Sequence, residues 1–151
     1  MRKTKLNLAG FLLLFLSGFI SCDSGPQNIT LGKDACTFCK MGIADNRFGG
    51  EIITKKGKIY KFDDTHCILG FMKANTINNN DIKETWLVNY AEPHNFIAAE
   101  KATLLESSEL HSPMGGNTGA FENQDKLNEI PNKLMGDKKI VAWDDLVKGN
   151  R

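Results

Sequence analysis

One order of local patterns runs twice along this chain, and that repetition limits the fold more than any single motif does. Glu51-Ile52-Ile53-Thr54 and Lys58-Ile59-Tyr60-Lys61-Phe62 are strand-like runs on either side of Lys55-Lys56-Gly57, which is a hairpin signal. Asp63 can cap a following helix whose apolar residues Cys67, Ile68, Phe71 and Met72 recur at i, i+1, i+4 and i+5, one face of a helix. A polar loop from Asn75 to Asp81 then leads to the strand candidate Trp86-Leu87-Val88-Asn89-Tyr90. The second half repeats the order. Phe96-Ile97 and Ala102-Thr103-Leu104-Leu105 read as extended, and Gly119-Ala120-Phe121 as a strand end. A helix is predicted from Gln124 to Leu134, kinked or shortened by Pro131, and Ile140-Val141-Ala142-Trp143 closes the chain as a strand. Phe62-Asp63-Asp64 before the first helix matches Phe121-Glu122-Asn123 before the second. The predicted architecture is α+β, with two β-β-α-β units packed in one small domain.

The chain begins with a targeting pattern. Arg2, Lys3 and Lys5 precede an apolar run, Phe11-Leu12-Leu13-Leu14-Phe15-Leu16 with Phe19-Ile20, which is short for a membrane span. Ser21 then precedes Cys22, and Phe19-Ile20-Ser21-Cys22 resembles a relaxed lipobox. Residues 1–21 are therefore expected to be a lipoprotein signal peptide and Cys22 the lipidated residue. Residues 22–35 are read as anchor and tether, and 36–151 as the functional domain. The expected location is the bacterial cell envelope, lipid-anchored to a membrane and facing the periplasm or the exterior. Removing the signal takes three of the 19 Lys and Arg and none of the 18 Asp and Glu, leaving 16 against 18. No basic patch survives that balance, so nucleic acid is not an expected partner. Lipidation of Cys22 leaves an odd set of thiols, Cys36, Cys39 and Cys67.

Cys36-Thr37-Phe38-Cys39-Lys40-Met41 sets two thiols and a thioether within six residues. These are soft, polarisable donors that suit Cu(I). In an extended strand Cys39 and Met41 project to one side about 6.6 Å apart at the backbone, and the flexible Met side chain can swing its sulfur toward the thiol. Cys36 needs a turn to join them. Three other readings compete: a structural zinc site completed by His66-Cys67, a C-x-x-C thiol-disulfide oxidoreductase using Cys36 and Cys39, and a plain structural disulfide.

His111-Ser112-Pro113-Met114-Gly115-Gly116-Asn117-Thr118-Gly119 is a polar, Gly-rich loop on which Met114 reads as an exposed, mobile ligand candidate. His111 could add an imidazole, and His94 beside Pro93 is a weaker candidate. Met72 and Met135 read as core, and Cys67 on the apolar helix face reads as an inert buried thiol. Asp63-Asp64 reads as helix capping and solvated charge. With no nucleophile-base pair and no Gly-rich phosphate loop opening a helix, the chain is not expected to be an enzyme.

The residues also resemble the NosL family of copper-chaperone lipoproteins from nitrous-oxide reductase maturation. The resemblance rests on Cys39-Lys40-Met41, on Phe62-Asp63-Asp64 with Cys67, on Trp86, Val88 and Tyr90, and on Ser112-Pro113-Met114-Gly115 with Ala120-Phe121. It implies a pair of β-β-α-β units and a Cu(I) cargo held by Cys39, Met41 and Met114; Cys36, a thiol that not every family member carries, and His111, read from its loop alone, could each add a further ligand. It also implies delivery to the assembly machinery of a copper enzyme, nitrous-oxide reductase in the family's usual setting, and fits the lipid anchor on Cys22.

Overall fold

Antiparallel pairing with period-two alternation builds the first sheet. β1 (Gly50–Thr54) pairs with β2 (Ile59–Phe62), setting Glu51 opposite Lys61 and Ile52 opposite Tyr60. α1 (Thr65–Lys73) follows, then β3 (Ile82–Val88) on the other side of β1, with β4 (Phe96–Ala98) at its outer edge. The order is β2-β1-β3-β4. β5 (Thr103–Glu106), β6 (Thr118–Phe121), α2 (Gln124–Asn128) and β7 (Lys139–Val141) then repeat the pattern, with order β6-β5-β7. The expected α+β fold of two β-β-α-β units is present, with β4 as an addition to the first. The computed structural model describes residues 25–134 and 136–149; the signal peptide, Cys22 and Met135 lie outside the described residues.

Two apolar cores hold these layers together. Cys67, Ile68 and Phe71 of α1 pack with Ile52, Phe62 and Leu87 of the first sheet. Alternation along the second sheet sends Leu104 and Ala120 into this same core, and Leu105 and Phe121 into a second one with Phe48, Tyr90 and Leu127. The sheets are also joined directly, because the Tyr90 amide donates to the Ala120 carbonyl at 2.7 Å.

Three boundaries differ from the sequence reading. The second helix ends at Asn128 rather than Leu134, and a separate 3-10 turn covers Asn132–Leu134. Pro131 lacks the amide a continuous helix needs and disfavours helical geometry in Ile130. The chain does not close as a strand: β7 stops at Val141, and α3 (Trp143–Gly149) follows. Asp144 and Asp145 lie in its first turn, where the helix dipole favours acids, and Trp143 and Leu146 bury one face. Finally, residues given to the tether already belong to the fold. The Gln27 amide donates to Glu51 Oε2 at 2.8 Å, Lys61 Nζ donates to the Asn28 carbonyl at 2.9 Å, and Ile29 packs on the first core.

Candidate metal centre

Cys36 to Lys40 form a closed turn rather than the extended strand that would align Cys39 with Met41. The Lys40 amide donates to the Cys36 carbonyl at 3.0 Å, and Lys40 has left-handed backbone, φ 68°. The Cys36 amide donates to the Met41 carbonyl at 2.8 Å, and Ala35 bridges Gly42. This turn brings the two thiols round to one side and leaves the Met41 side chain outward, 49% exposed. It is tied to the first unit at two points. The Thr37 amide donates to the Lys61 carbonyl of β2 at 2.7 Å, and the Phe38 ring lies on α1. A Cβ built on Gly70 would stand 2.7 Å from that ring, so the missing side chain there lets Phe38 lie against the helix.

The turn delivers its thiols to the N-terminal end of α1. Sγ of Cys36, Cys39 and Cys67 and a carboxylate oxygen of Asp63 all lie within 4.8 Å of one another. Cys39 Sγ is 3.6 Å from each Asp63 oxygen. Cys36, Cys67 and Asp63 are buried, while Cys39 is partly exposed and forms the accessible edge of the group. Burial pushes the Cys36 thiol up from its ordinary range, and its hydrogen bond to the Asp63 carboxylate adds to the effect. Cys67 is driven up for the same two reasons, with Cys36 beside it as a further cause. Such thiols are protonated at neutral pH, so an incoming metal must displace their protons. Reactive dithiols have depressed values and open a helix. Cys36 has a raised value and lies in a turn outside any helix.

Two sequence readings change at this point. Cys67 is indeed buried on the apolar face of α1, but its sulfur belongs to the thiol group. Asp63 and Asp64 are not solvated: both are buried, Asp63 faces the thiols, and Asp64 is the residue that caps the helix. Asp64 Oδ1 accepts the His66 amide at 2.8 Å.

Met114 is half-buried and packs against the same core as Cys36, Cys39 and Cys67. Its loop is pinned rather than open: the Met114 amide and the Ser112 hydroxyl both donate to Asp64 Oδ2, at 2.8 and 2.6 Å. His111 is exposed and stands outside the thiol group, with left-handed backbone at the end of a 3-10 turn. His66 is likewise exposed, and His94 is engaged by the Asn89 carbonyl and Glu92 at 3.0 Å each. Met72 packs with the first core, as its helical spacing predicts.

The family model for NosL matches residues 27–149. The chain belongs to the NosL family. A solved structure, the copper chaperone NosL from Shewanella denitrificans, superposes with a TM-score of 0.66 at 21% identity, covering 83% of this chain and 97% of that one. At that identity the likeness carries the fold alone. No curated protein matches the chain in sequence. The NosL match spans both β-β-α-β units, so the thiol group of the first and the Pro113-Met114-Gly115 loop of the second fall within one family domain.

Proposed function

We propose that this protein is a copper carrier that takes up Cu(I) at the Cys36, Cys39 and Cys67 thiolates and passes it to a copper-enzyme assembly system. The observation that carries the reading is the group of three sulfurs and one carboxylate within 4.8 Å, open at Cys39. Thiolate-rich sites of low coordination number suit Cu(I), and the cargo exchanges ligands readily when a partner's soft donor enters the open edge. Asp63 accepts hydrogen bonds from the thiols and balances charge as the protons leave. Met114 is the thioether available at the rim. Met41, exposed and turned outward, is free to meet the incoming partner or to close on the ion.

Family membership and the copper-chaperone structure of similar fold support the same reading. The same proposal takes nitrous-oxide reductase maturation as the client pathway, on the resemblance of the sequence motifs, and reads Phe19-Ile20-Ser21-Cys22 as a lipid anchor that would hold the carrier at a membrane. Anaerobic Cu(I) titration of the reduced protein against a chromogenic Cu(I) chelator tests the proposal, with Cys39→Ser in parallel. One tight equivalent in the wild type and none in the variant is expected. No competition with the chelator would remove the copper reading. Dithiol-linked insulin reduction without copper dependence would favour an exported thiol-disulfide oxidoreductase instead.

A further inference from the structure

The geometry points to Asp64 as the positioning residue that places Met114 at the thiol group, coupling the second unit's loop to the first unit's cargo. The inference rests on the copper reading above and adds a residue that touches neither the thiols nor the ion. Asp64 is fully buried and divides its carboxylate between two tasks. Oδ1 caps α1 through the His66 amide, fixing the turn that carries Cys67. Oδ2 accepts from Ser112 Oγ and from the Met114 amide, although those partners lie 48 and 50 residues away along the chain. The neighbouring residue Asp63 stands in the thiol group. One side chain therefore ties the cluster to the backbone of the methionine.

The loop is built for this attachment. The Asn117 amide donates to Ser112 Oγ at 2.7 Å, and the Ser112 amide donates to Asn117 Oδ1 at 2.9 Å. A Cβ at Gly116 would stand 2.5 Å from Asp64 Oδ1 and 2.8 Å from the His66 Cβ, so only glycine allows the loop so close to the helix end. Among the described residues this buried carboxylate has three donors and no ion-pair partner, so those donors hold it. Undocking the loop would leave Oδ2 with neither of its protein donors. The docked state is therefore the stable one, and Met114 is held against the first core, its amide on the cap of the helix that carries Cys67, rather than free on a mobile loop.

Asp64→Asn separates the two tasks. Asparagine caps a helix as well as aspartate does. With its oxygen on the His66 amide, however, its NH2 faces the Met114 amide, donor against donor. Ser112→Ala attacks the same link from the loop side and leaves the helix cap untouched. Both variants are expected to weaken Cu(I) binding by roughly 10- to 100-fold, the loss usual for groups that orient a metal's ligands. Neither should weaken it further in a Met114→Ala background, because the effect passes through Met114. A purely structural role would give losses that add in both backgrounds.

The inference is overturned if both variants bind Cu(I) like the wild type, if their losses add in full to that of Met114→Ala, or if Met114→Ala itself has no effect. If Asp64→Asn does not fold, Ser112→Ala decides alone. Amide hydrogen exchange at Met114 in metal-free protein separates this inference from the copper reading. Faster exchange in Ser112→Ala with no Cu(I) binding by the wild type would keep the link and remove its cargo. Unchanged exchange would remove the link itself.

Discussion

Phe62-Asp63-Asp64 and Phe121-Glu122-Asn123 stand at the same point of the two β-β-α-β units, and from there the units diverge. Asp64 and Asn123 both cap the helix that follows, and the fourth helical residue of each, Ile68 and Leu127, is fully buried. The residue before the cap is a buried carboxylate facing thiols in the first unit. In the second it is exposed Glu122, which accepts from the Asn95 side-chain amide at 3.0 Å. The third helical residue is Cys67 in one and Lys126, paired with Glu129, in the other. Backbone and core match between the halves while the chemistry does not: a buried carboxylate and a thiol stand in the first unit where the second has a solvated acid and an ion-paired lysine, and only the first is faced by the Cys36–Cys39 turn. The second unit contributes through its β5–β6 connection instead, by sending Met114 across to the first.

That comparison can be broken most sharply at the thiols. Cys36→Ser and Cys67→Ser should each lower Cu(I) affinity by more than the roughly 100-fold that outer partners cost, while Lys126→Ala, at the position equivalent to Cys67, leaves it unchanged. Competition titration with a Cu(I) chelator reads all three. The cores come next. Leu127→Ala empties the second core and should cost about 2–5 kcal/mol of unfolding free energy by denaturant titration, with Cu(I) affinity intact if the protein is assayed while folded. A loss of affinity there would mean that the second core shapes the site more than its position suggests.

A smaller effect separates the two caps. Asn123→Ala should cost about 1 kcal/mol in stability and nothing in Cu(I) binding, unlike substitution of Asp64. The smallest concerns Asp34, whose carboxyl is held below its ordinary value of 3.8 first by the Lys61 hydrogen bond and then by the Thr30 amide. A depressed acid contributes stability above its unfolded value and loses it as pH falls through the folded one. Melting temperatures of wild type and Asp34→Asn should therefore differ slightly at neutral pH and converge below pH 3.8.

The first hairpin and the first helix were legible because period two and period 3.6 are local signals, and a cap ahead of that helix was visible one residue early, at Asp63 rather than Asp64. The helix at Trp143 was not, since a tryptophan after Ile140-Val141 continues a strand pattern until its burial against the first core is known. The turn at Cys36–Cys39 was legible as sulfur-rich, but its closure depends on Lys40 taking left-handed backbone, which no local pattern announces. Cys67 illustrates a deeper limit. Helical spacing places it on the buried face, where burial reads as inertness, whereas the cluster lies at the buried end of that face. Its spacing from Asp63, with the cap between them, was the available signal. The docking of Met114 had none, because Asp64 and its loop partners are about fifty residues apart and meet only through the packing of the two units.

X-ray absorption at the copper edge, on the one-to-one Cu(I) protein and on Cys67→Ser, tests the central claim most directly. A sulfur-dominated shell that loses a scatterer in the variant is the predicted result. An identical spectrum in wild type and variant would make Cys67 a bystander and would contradict a cargo site built from the thiols at the start of α1.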